Sequence, residues 1–410
     1  MHPFLSPPPP WLDRRRWLQL AGLSGLAALL PAGCQRSAPA PDADAGAGLE
    51  LLRFPGKVPM RAINSRPPCL ETPWRFFRED LTPNDAFYVR WHLQLVPTNV
   101  DLATYRLRVG GEVERPLELS LDDLRQREPT SVVAVNQCSG NSRGLQNPAV
   151  PGAQWQNGGM GNARWTGVPL HALLREAGVK NDAVDVTFQG LDRAGIPSVP
   201  DFVKSLSIDA AQRPDILLAY EMNGQPLPAL NGYPLRLVVP GWYATYWVKA
   251  LSDITVLPKV YDGYWMTKSY RLPATPDFME DPQRLAEKTV PIQRFNVRSF
   301  FTTPDAGATV HVGQPVALDG IAFDGGDGIQ KVEVSTDGGS AWQPTELGPD
   351  LGRYSFRRWR LNWLPPTAGL HTLKVRAVTT TGQTQPAVAG WNRGGFMRNV
   401  VETLNVAAVG

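Results

Sequence analysis

Cysteine is scarce in this chain of 410 residues, which contains only Cys34, Cys69 and Cys138. No two of them have CxxC spacing, so a zinc ribbon, a thioredoxin motif and covalent attachment of a c-type haem are all disfavoured. Cys34 falls within an N-terminal leader, so a disulfide framework is not available. Any chemistry at sulfur must therefore use a single thiolate.

An excess of charge of one sign is also missing. The 41 Lys and Arg residues nearly balance the 38 Asp and Glu residues, and the formal net charge of +3 gives no global electrostatic argument for nucleic-acid binding. A hydrophobic content of 42% with 19% charged residues is typical of a globular protein. Proline and glycine are abundant, with 39 and 38 residues, and favour many turns and short strands. The length allows two or three domains.

Residues 1–48 resemble an export signal followed by a linker. Arg14, Arg15 and Arg16 precede an apolar run over residues 20–30, which is too short to span a bilayer. This arrangement resembles a twin-arginine signal, whose route carries folded proteins, although an ordinary secretory leader with extra basic residues is the alternative. Cys34 partly resembles a lipoprotein cleavage site, where it would carry a lipid anchor. We therefore predict a periplasmic protein.

Residues 49–292 combine short apolar strands with a few helical patterns. Residues 105–109 alternate like a strand and end at a glycine pair. Residues 120–124 are typical of a capped helix start, and residues 168–174 predict a second helix that Gly178 stops. Because the pattern shows no regular βαβ repeat, we predict an α+β domain.

Residues 293–410 differ in character, because they contain several short strands separated by Gly/Pro turns. Residues 331–335 and 371–377 alternate strictly between apolar and polar side chains. Further strands are predicted at residues 310–312, 316–318, 354–356 and 400–409. This pattern predicts an antiparallel sandwich of the immunoglobulin-like type. The segment shows no convincing catalytic cluster, so we interpret it as an assembly domain.

Cys138 stands where a β-branched strand meets a polar loop. Residues 131–135 form the strand, and the sequence NQCSGNSR follows over residues 136–143. Arg143 and neighbouring backbone N–H groups would favour the thiolate form, which metal ligation requires. An isolated cysteine at a strand end is more often an inert core residue, but such a cysteine rarely sits among Asn, Gln, Ser and Arg. The surroundings therefore favour Cys138 as a metal ligand.

The segment around Cys138 resembles the molybdenum-cysteine motif of the sulfite oxidase family, and in particular of its bacterial periplasmic dehydrogenases. Residues 158–167, 218–224 and 232–242 are similar, in the same order, to later segments of that family. The C-terminal part resembles the family's dimerisation domain. The resemblance implies a molybdopterin-binding domain followed by an immunoglobulin-like dimerisation domain, with a molybdenum-molybdopterin cofactor and no haem in this chain.

The same resemblance assigns roles to individual side chains. Cys138 is implied as the ligand to the metal, and Arg90, Arg143 and Tyr270 are implied to hold the oxyanion substrate, which requires cationic donors. A larger set is implied to contact the cofactor: Tyr88, Arg90, His92, Cys138, Asp192, Asn231, Arg236, Trp247 and Lys249.

Two positions depart from the pattern of the animal members of the family. Asn231 stands where animal sulfite oxidases have a histidine, although an amide still offers a donor and an acceptor. The substrate arginine of the animal C-terminal domain has no aligned counterpart, and Arg393 is nearby but shifted. These departures favour the bacterial branch of the family.

The resemblance implies that the protein oxidises sulfite to sulfate by oxygen-atom transfer at the molybdenum centre. The chain has no CxxCH haem motif, and no segment is left over for a cytochrome or flavin domain. An external c-type cytochrome, either a subunit or a transient partner, is therefore the expected electron acceptor. The dimerisation domain implies a homodimer.

Two alternatives remain open from the sequence. A related molybdopterin reductase would keep the cofactor and act on another oxyanion or on an S-oxide. An exported binding protein without catalytic activity would use the sandwich domain and contain no metal. Elemental analysis for molybdenum separates the enzyme from the binding protein.

Overall fold

Strands dominate residues 51–410, which are the residues that the structure, a computed structural model, describes. The predicted export signal and Cys34 lie outside the described residues. In residues 51–410, no helix is both long and apolar enough to cross a membrane. These residues belong to one compact unit, and the domain boundaries given above stay predictions.

The strands before residue 292 are short. In chain order they are β1 (Leu51–Leu52), β2 (Met60–Ser65), β3 (Pro68–Leu70), β4 (Val89–Arg90), β5 (Leu107–Gly111), β6 (Leu117–Leu119), β7 (Thr130–Gln137), β8 (Met160–Pro169), β9 (Asp185–Gly190), β10 (Val203–Ser207), β11 (Leu217–Met222), β12 (Gln225–Pro226), β13 (Arg236–Val238), β14 (Leu251–Leu257), β15 (Arg271–Pro273) and β16 (Thr289–Pro291). The helices between them are α1 (Leu121–Arg125), α2 (Leu170–Ala177), α3 (Ile208–Ala211) and α4 (Tyr264–Thr267).

These strands form several small sheets instead of one large one. The sheet orders are β1-β2-β3-β4, β10-β9-β14-β5-β6 and β12-β11-β8-β7, with β13 paired to β11 and a separate β15-β16 pair. Only the β14–β5 pairing among them is parallel. Because the sheets are small, several strand ends can converge on one point.

The strands after residue 292 form a sandwich of two sheets. They are β17 (Arg298–Thr303), β18 (Thr309–His311), β19 (Val316–Phe323), β20 (Ile329–Ser335), β21 (Gln343–Pro344), β22 (Glu346–Leu347), β23 (Arg357–Trp363), β24 (Gly369–Thr379) and β25 (Glu402–Val409). One sheet has the order β17-β19-β23-β22 and the other β18-β25-β24-β20-β21. Alternating apolar residues of both sheets fill the space between them, as the sequence predicts. The α+β domain followed by an immunoglobulin-like sandwich is confirmed.

Local sequence signals explain several elements. Ser120 and Asp123 form the capping box that begins α1, because each side chain accepts a hydrogen bond from the other residue's backbone N–H. Gly178 ends α2 with a φ of 70°, a left-handed conformation that glycine adopts without strain. Both helices match the predictions.

One predicted strand is wrong. Residues 354–356 form no strand, and Tyr354 makes only an isolated bridge to Ala134 in β7. The carbonyl oxygen of Tyr354 accepts a hydrogen bond from the backbone N–H of Val135 at 2.9 Å. The apolar pattern of this segment therefore serves the contact between the two halves, and not a sheet of the sandwich.

Candidate active site

A small cavity lies beside Cys138. Residues from several strand ends and loops line it: Tyr88, Arg90, His92, Asn136, Cys138, Ser139, Leu230, Asn231, Arg236, Ala244, Thr245, Lys249 and Tyr270. Most of the residues predicted for the site thus come together in one wall. Of the predicted set, Arg143, Asp192 and Trp247 lie outside it.

Cys138 follows directly on the last residue of β7. Its backbone N–H donates to the carbonyl oxygen of Gly159 at 2.9 Å, and its carbonyl oxygen accepts from the N–H of Asn141 at 3.0 Å. The residue is 7% exposed and its thiol is free. Two backbone bonds therefore fix the position from which a single sulfur faces the cavity.

Arg90 reaches the cavity from the end of β4, where it pairs across the sheet with Cys69 in β3. Its guanidinium donates to the carbonyl oxygen of Trp91. Burial disfavours the charged guanidinium of Arg90, but the interactions with Tyr270 and Cys69 outweigh this effect, so the pKa of Arg90 is raised. Burial raises the pKa of the Cys69 thiol, which Arg90 partly offsets. Cys69, for which the sequence predicts no role beyond packing, is thus the cross-strand neighbour of a cavity arginine.

Arg236 is a buried cation without a carboxylate partner in the described part of the chain. It donates to the carbonyl oxygens of Asn231 at 2.8 Å and Trp247 at 3.3 Å. Its guanidinium carbon lies 4.9 Å from the ring centroid of Trp165. Burial lowers the pKa of Arg236 to about 10, so it remains charged at neutral pH.

Lys249 and Asp192 form a buried pair at one side of the cavity. The ammonium of Lys249 lies 4.6 Å from the ring centroid of Trp91. Burial, followed by Arg236, lowers the pKa of Lys249, and Asp192 opposes this shift. Burial raises the pKa of Asp192, and Lys249 opposes that shift in turn. The Asp192 carboxylate thus favours the charged form of Lys249, although Asp192 does not line the cavity.

His92 and Tyr270 are hydrogen-bonded through the imidazole Nε2 and the phenol oxygen. The His92 ring stacks on the Phe202 ring with 3.9 Å between the ring centroids, and the Tyr270 ring stacks on the Phe396 ring with 5.6 Å between the centroids. Burial, followed by Arg90, holds the pKa of His92 well below its usual range. Burial raises the pKa of Tyr270 to about 12. At neutral pH the pair is therefore a neutral imidazole and a neutral phenol.

Tyr270 is also held in a strained conformation. Its φ of 56° is rare for a bulky residue and marks a position where the surrounding structure imposes the backbone geometry. Its carbonyl oxygen accepts a hydrogen bond from the N–H of Ile292 at 3.0 Å. The phenol is thus placed at the cavity by contacts on both its ring and its backbone.

Several buried polar atoms of the wall have no partner within residues 51–410. They are Asn136 Nδ2, Ser139 Oγ, Arg236 Nε and Thr245 Oγ1. Buried polar atoms are nearly always hydrogen-bonded, so unpaired ones that share a cavity indicate a ligand rich in donors and acceptors. No aspartate or glutamate lines this wall, whereas Arg90, Arg236 and Lys249 do. The ligand that fits is therefore polar and anionic.

The described residues do not form a complete metal site by themselves. Among residues 51–410, no group of three or more His, Cys, Asp or Glu side chains could hold a metal ion. A metal bound at Cys138 must therefore take most of its ligands from a cofactor or from water.

Arg143 is close to the cavity but its donors are used elsewhere. Its Nε donates to the carbonyl oxygen of Gly394 at 3.0 Å and its Nη1 to that of Ala153 at 3.2 Å. Its guanidinium carbon lies 5.2 Å from the Phe396 ring centroid. A Cβ at Gly140 would lie 2.5 Å from its Nη2, so a side chain at this position would displace the guanidinium. Arg143 therefore contributes charge and packing to the site without lining it.

Two further predicted residues have their polar groups satisfied inside the protein. Asn231 lines the cavity, but its Nδ2 donates to Tyr88 at 3.0 Å and its Oδ1 accepts from Lys57 at 2.6 Å. Trp247 donates its indole N–H to the carbonyl oxygen of Trp242 at 3.0 Å and lies behind Arg236. Both shape the wall more than they offer free donors.

Arg393, the candidate for a C-terminal substrate arginine, does not reach the cavity. It forms a two-point ion pair with Glu280, at 2.9 Å and 2.6 Å. This pair holds the pKa of Glu280 at about 2.

Lys204 is a buried residue that the sequence analysis missed. It is 1% exposed, and its ammonium donates to the carbonyl oxygen of Trp265 at 2.7 Å. The ammonium also lies 4.7 Å from the Tyr246 ring centroid and 5.5 Å from that of Tyr270. Burial lowers its pKa to about 7. The sequence contains a signal for it: Lys204 shares one face of β10 with the buried Leu206, and a lysine is not expected on an apolar face.

Comparisons with known proteins agree with this arrangement. Residues 92–265 match the family described as oxidoreductase molybdopterin binding domain, and residues 289–407 match the Mo-co oxidoreductase dimerisation domain. Mitochondrial sulfite oxidase of Homo sapiens is 35% identical over 376 residues, which are 86% of this chain and 66% of that protein. Sulfite oxidase of Gallus gallus is 36% identical over 381 residues, covering 87% of this chain and 79% of that protein.

A solved structure resembles the whole described fold. The sulfane dehydrogenase SoxCD from Paracoccus pantotrophus superposes with a TM-score of 0.72 at 25% sequence identity, covering 90% of this chain and 93% of that chain.

Proposed function

Because the chain belongs to the sulfite oxidase family of molybdopterin oxidoreductases, we propose that it oxidises sulfite to sulfate and passes the electrons to an external c-type cytochrome. The family's molybdopterin-binding domain implies a molybdenum-molybdopterin cofactor. When bound, this cofactor supplies the two-electron redox chemistry and the transferable oxygen atom. In the balanced reaction, sulfite and water become sulfate, two protons and two electrons.

The residues of the cavity fit this cofactor. The unpaired donors and acceptors of Asn136, Ser139 and Thr245 suit the polar edges of a pterin, and the Arg236 guanidinium suits its phosphate. Cys138 would supply the protein's thiolate to the metal. The further contacts that we propose for the cofactor are Tyr88, Arg90, His92, Asn231 and Lys249, and Asp192 and Trp247, which lie outside the wall, would act through Lys249 and Arg236.

One observation carries the proposal: Cys138 shares a cavity with the basic side chains of Arg90, Arg236 and Lys249, and none of the described residues that line it is a carboxylate. Sulfite, sulfate and the cofactor phosphate are all anions. A wall of this charge favours each of them and would disfavour a cationic or apolar ligand.

Arg90 and Tyr270 are the groups that we propose to hold the oxyanion. Arg90 stays charged at any working pH and offers several donors. Tyr270 remains a neutral phenol and can donate to an oxyanion, while His92 orients it from the other side. Arg143 adds positive charge from behind the wall. These groups bind and orient the substrate beside Cys138.

The context that we propose follows the bacterial members of the family. The protein would be exported to the periplasm by the twin-arginine route and would form a homodimer through residues 293–410, for which the matching family is a dimerisation domain. The cytochrome would accept one electron at a time. A lipid anchor at Cys34 remains part of the same hypothesis.

Sulfane is the substrate to test beside sulfite, because the solved structure that resembles this chain is a sulfane dehydrogenase. Sulfite is preferred because the curated relatives at 35–36% identity are sulfite oxidases. Other oxyanions and S-oxides belong in the same panel. The comparisons give no support to a binding protein without catalytic activity.

The test uses full-length protein matured in a host that makes molybdopterin. We expect about one molybdenum per chain and sulfite-dependent reduction of ferricyanide and cytochrome c. Cys138→Ser should abolish the activity and leave the circular dichroism spectrum unchanged. Cys69→Ser removes the other buried thiol and should keep the metal. A metal-free wild type from a competent host, or a fully active Cys138→Ser variant, would refute the proposal.

A further inference from the structure

Arg298 lies in the sandwich domain but reaches into the loop that carries Cys138. It is the first residue of β17 and is 1% exposed. Its Nη1 donates to the side-chain oxygen of Gln137 at 3.3 Å, and its Nη2 donates to the hydroxyl of Ser142 at 3.0 Å. Gln137 and Ser142 stand on either side of Cys138 in the chain. One guanidinium therefore clamps both ends of residues 137–142, which we call the cysteine loop.

The charge of Arg298 is balanced from within the sandwich. Its Nη2 forms an ion pair with Glu402, in β25, at 3.1 Å. Glu402 also accepts from Arg398 at 2.6 Å, which fixes the carboxylate. Burial lowers the pKa of Arg298 and Glu402 opposes that shift, so the ion pair favours the charged form of the clamp. The position of the guanidinium is thus set by two strands of the sandwich.

Backbone hydrogen bonds hold the main chain of the cysteine loop, and Arg298 adds side-chain contacts at its two ends, where the strand pairing stops. The β7–β8 ladder ends at Gln137. Ser142 has a φ of 70°, a left-handed conformation that a non-glycine residue holds only when its surroundings impose it. Asn157 completes the clamp, since its side-chain oxygen accepts from Arg298 at 3.1 Å and from the Ser142 hydroxyl.

We propose that Arg298 is a positioning residue for the metal ligand, through which the sandwich domain sets the place of the Cys138 sulfur. This inference rests on the proposed function, because it takes Cys138 to be the ligand. It changes the interpretation of residues 293–410 from a domain for assembly alone to a structural part of the active site.

The proposal predicts a particular kinetic pattern. Arg298 is not part of the cavity wall, so it does not touch the substrate. A displaced sulfur would alter the metal centre and lower kcat, while the substrate-binding groups stay in place and KM remains unchanged. Loss of a residue that orients a metal ligand typically costs about 10- to 100-fold in activity or metal affinity.

The first variant is Arg298→Lys, which keeps the charge next to Glu402 but loses the planar fork. The second is Ser142→Ala, which removes one contact of the clamp and leaves the buried ion pair intact. It therefore tests the proposal even if Arg298→Lys does not fold. The matched control is Arg358→Lys. Arg358 also reaches from the sandwich to the other half, where its Nε forms a 2.6 Å ion pair with Asp80. Neither residue lines the cavity.

Holoenzyme of each variant is compared for molybdenum per chain, for kcat and KM per bound molybdenum, and for the Mo(V) electron paramagnetic resonance spectrum. We expect Arg298→Lys to lower kcat or metal content by about 10-fold or more and to shift the Mo(V) spectrum. Ser142→Ala should show smaller changes in the same direction. Arg358→Lys should match the wild type in all three.

A lower Tm with wild-type kcat, metal content and spectrum in both clamp variants would overturn the proposal, since Arg298 would then only stabilise the fold. The failure of the proposed function is distinguishable from this result. In that case Cys138→Ser itself would keep the metal and the activity.

Discussion

The cavity wall and the sandwich domain differ in how their cations are paired. Several arginines of the sandwich pair with carboxylates within 3.1 Å, namely Arg298 with Glu402, Arg358 with Asp80, Arg360 with Asp319 and Arg376 with Glu333. In the cavity wall, Arg90 and Arg236 make no ion pair with any residue of the described chain, and Lys249 has only the buried Asp192 beside it.

Burying a charge without a partner is costly, because the charge loses its hydration. The unpaired guanidiniums of Arg90 and Arg236 therefore do not stabilise the fold by themselves. The difference between the cavity wall and the sandwich indicates where an anionic ligand completes the structure, and the following variants test that contrast.

The largest effect is expected at Arg90. Arg90→Met should lower kcat/KM for sulfite by about 10- to 150-fold, the equivalent of a charged hydrogen bond worth about 1.5–3 kcal/mol. Arg90→Lys should recover part of the loss because the charge is kept. Steady-state kinetics per bound molybdenum measure both. Unchanged kcat/KM in Arg90→Met would mean that the cavity cations do not serve the substrate.

A somewhat smaller effect is expected at Arg236, which we assign to the cofactor. Arg236→Met should weaken cofactor retention by about 10-fold or more, because no other group replaces the guanidinium. Molybdenum per chain after extended dialysis is the measurement. The sandwich variant Arg376→Met, which removes a paired cation, should retain the metal fully. Equal retention of molybdenum in both variants would show that the unpaired cation of the cavity matters no more for the cofactor than the paired cation of the sandwich.

The pH dependence of the free energy of unfolding tests whether Lys204 is a buried cation like those of the cavity wall. Its folded-state pKa is about 7, below the ordinary value of 10.5, so between these values the unfolded chain binds more protons than the folded one. The free energy of unfolding must then rise with pH. Relative to Lys204→Met, the wild type should gain up to about 1.4 kcal/mol per pH unit above pH 7. Urea unfolding at pH 7, 8 and 9 measures this difference, and a flat difference would show that Lys204 is hydrated.

The smallest effect is expected for a paired sandwich cation. Arg360 and Asp319 lie 2.6 Å apart with much of the arginine exposed. A double-mutant cycle with alanine should give a coupling free energy below about 1 kcal/mol. Activity per molybdenum should not change. A coupling of several kcal/mol would show that the sandwich pairs carry more stability than their exposure allows.

Much of the fold follows from local patterns in the sequence. Strict alternation predicts β20 and β24, and the Ser120–Asp123 capping box and Gly178 predict the bounds of α1 and α2. Residues 354–356 were predicted wrongly because alternation reports burial but not the partner that buries it. In this case the partner is β7 of the other half.

The site was predicted in part, and the remainder depended on long-range contacts. Arg90, Cys138 and Tyr270, which the resemblance assigns to one site, line one cavity although they are distant in the chain. The resemblance could not show that Arg143 donates from two of its nitrogens to backbone carbonyls, or that Arg298 clamps the cysteine loop across the domain contact. Both facts depend on how the sandwich packs against the other half, which no local pattern encodes.

The central claim is that Cys138 contributes one sulfur to the metal. X-ray absorption spectroscopy at the molybdenum edge, on holoenzyme and on Cys138→Ser matured in the same host, tests it most directly. We predict that the variant either loses the metal or shows one sulfur neighbour fewer than the wild type. A Cys138→Ser variant with full molybdenum and an unchanged number of sulfur neighbours would contradict the account.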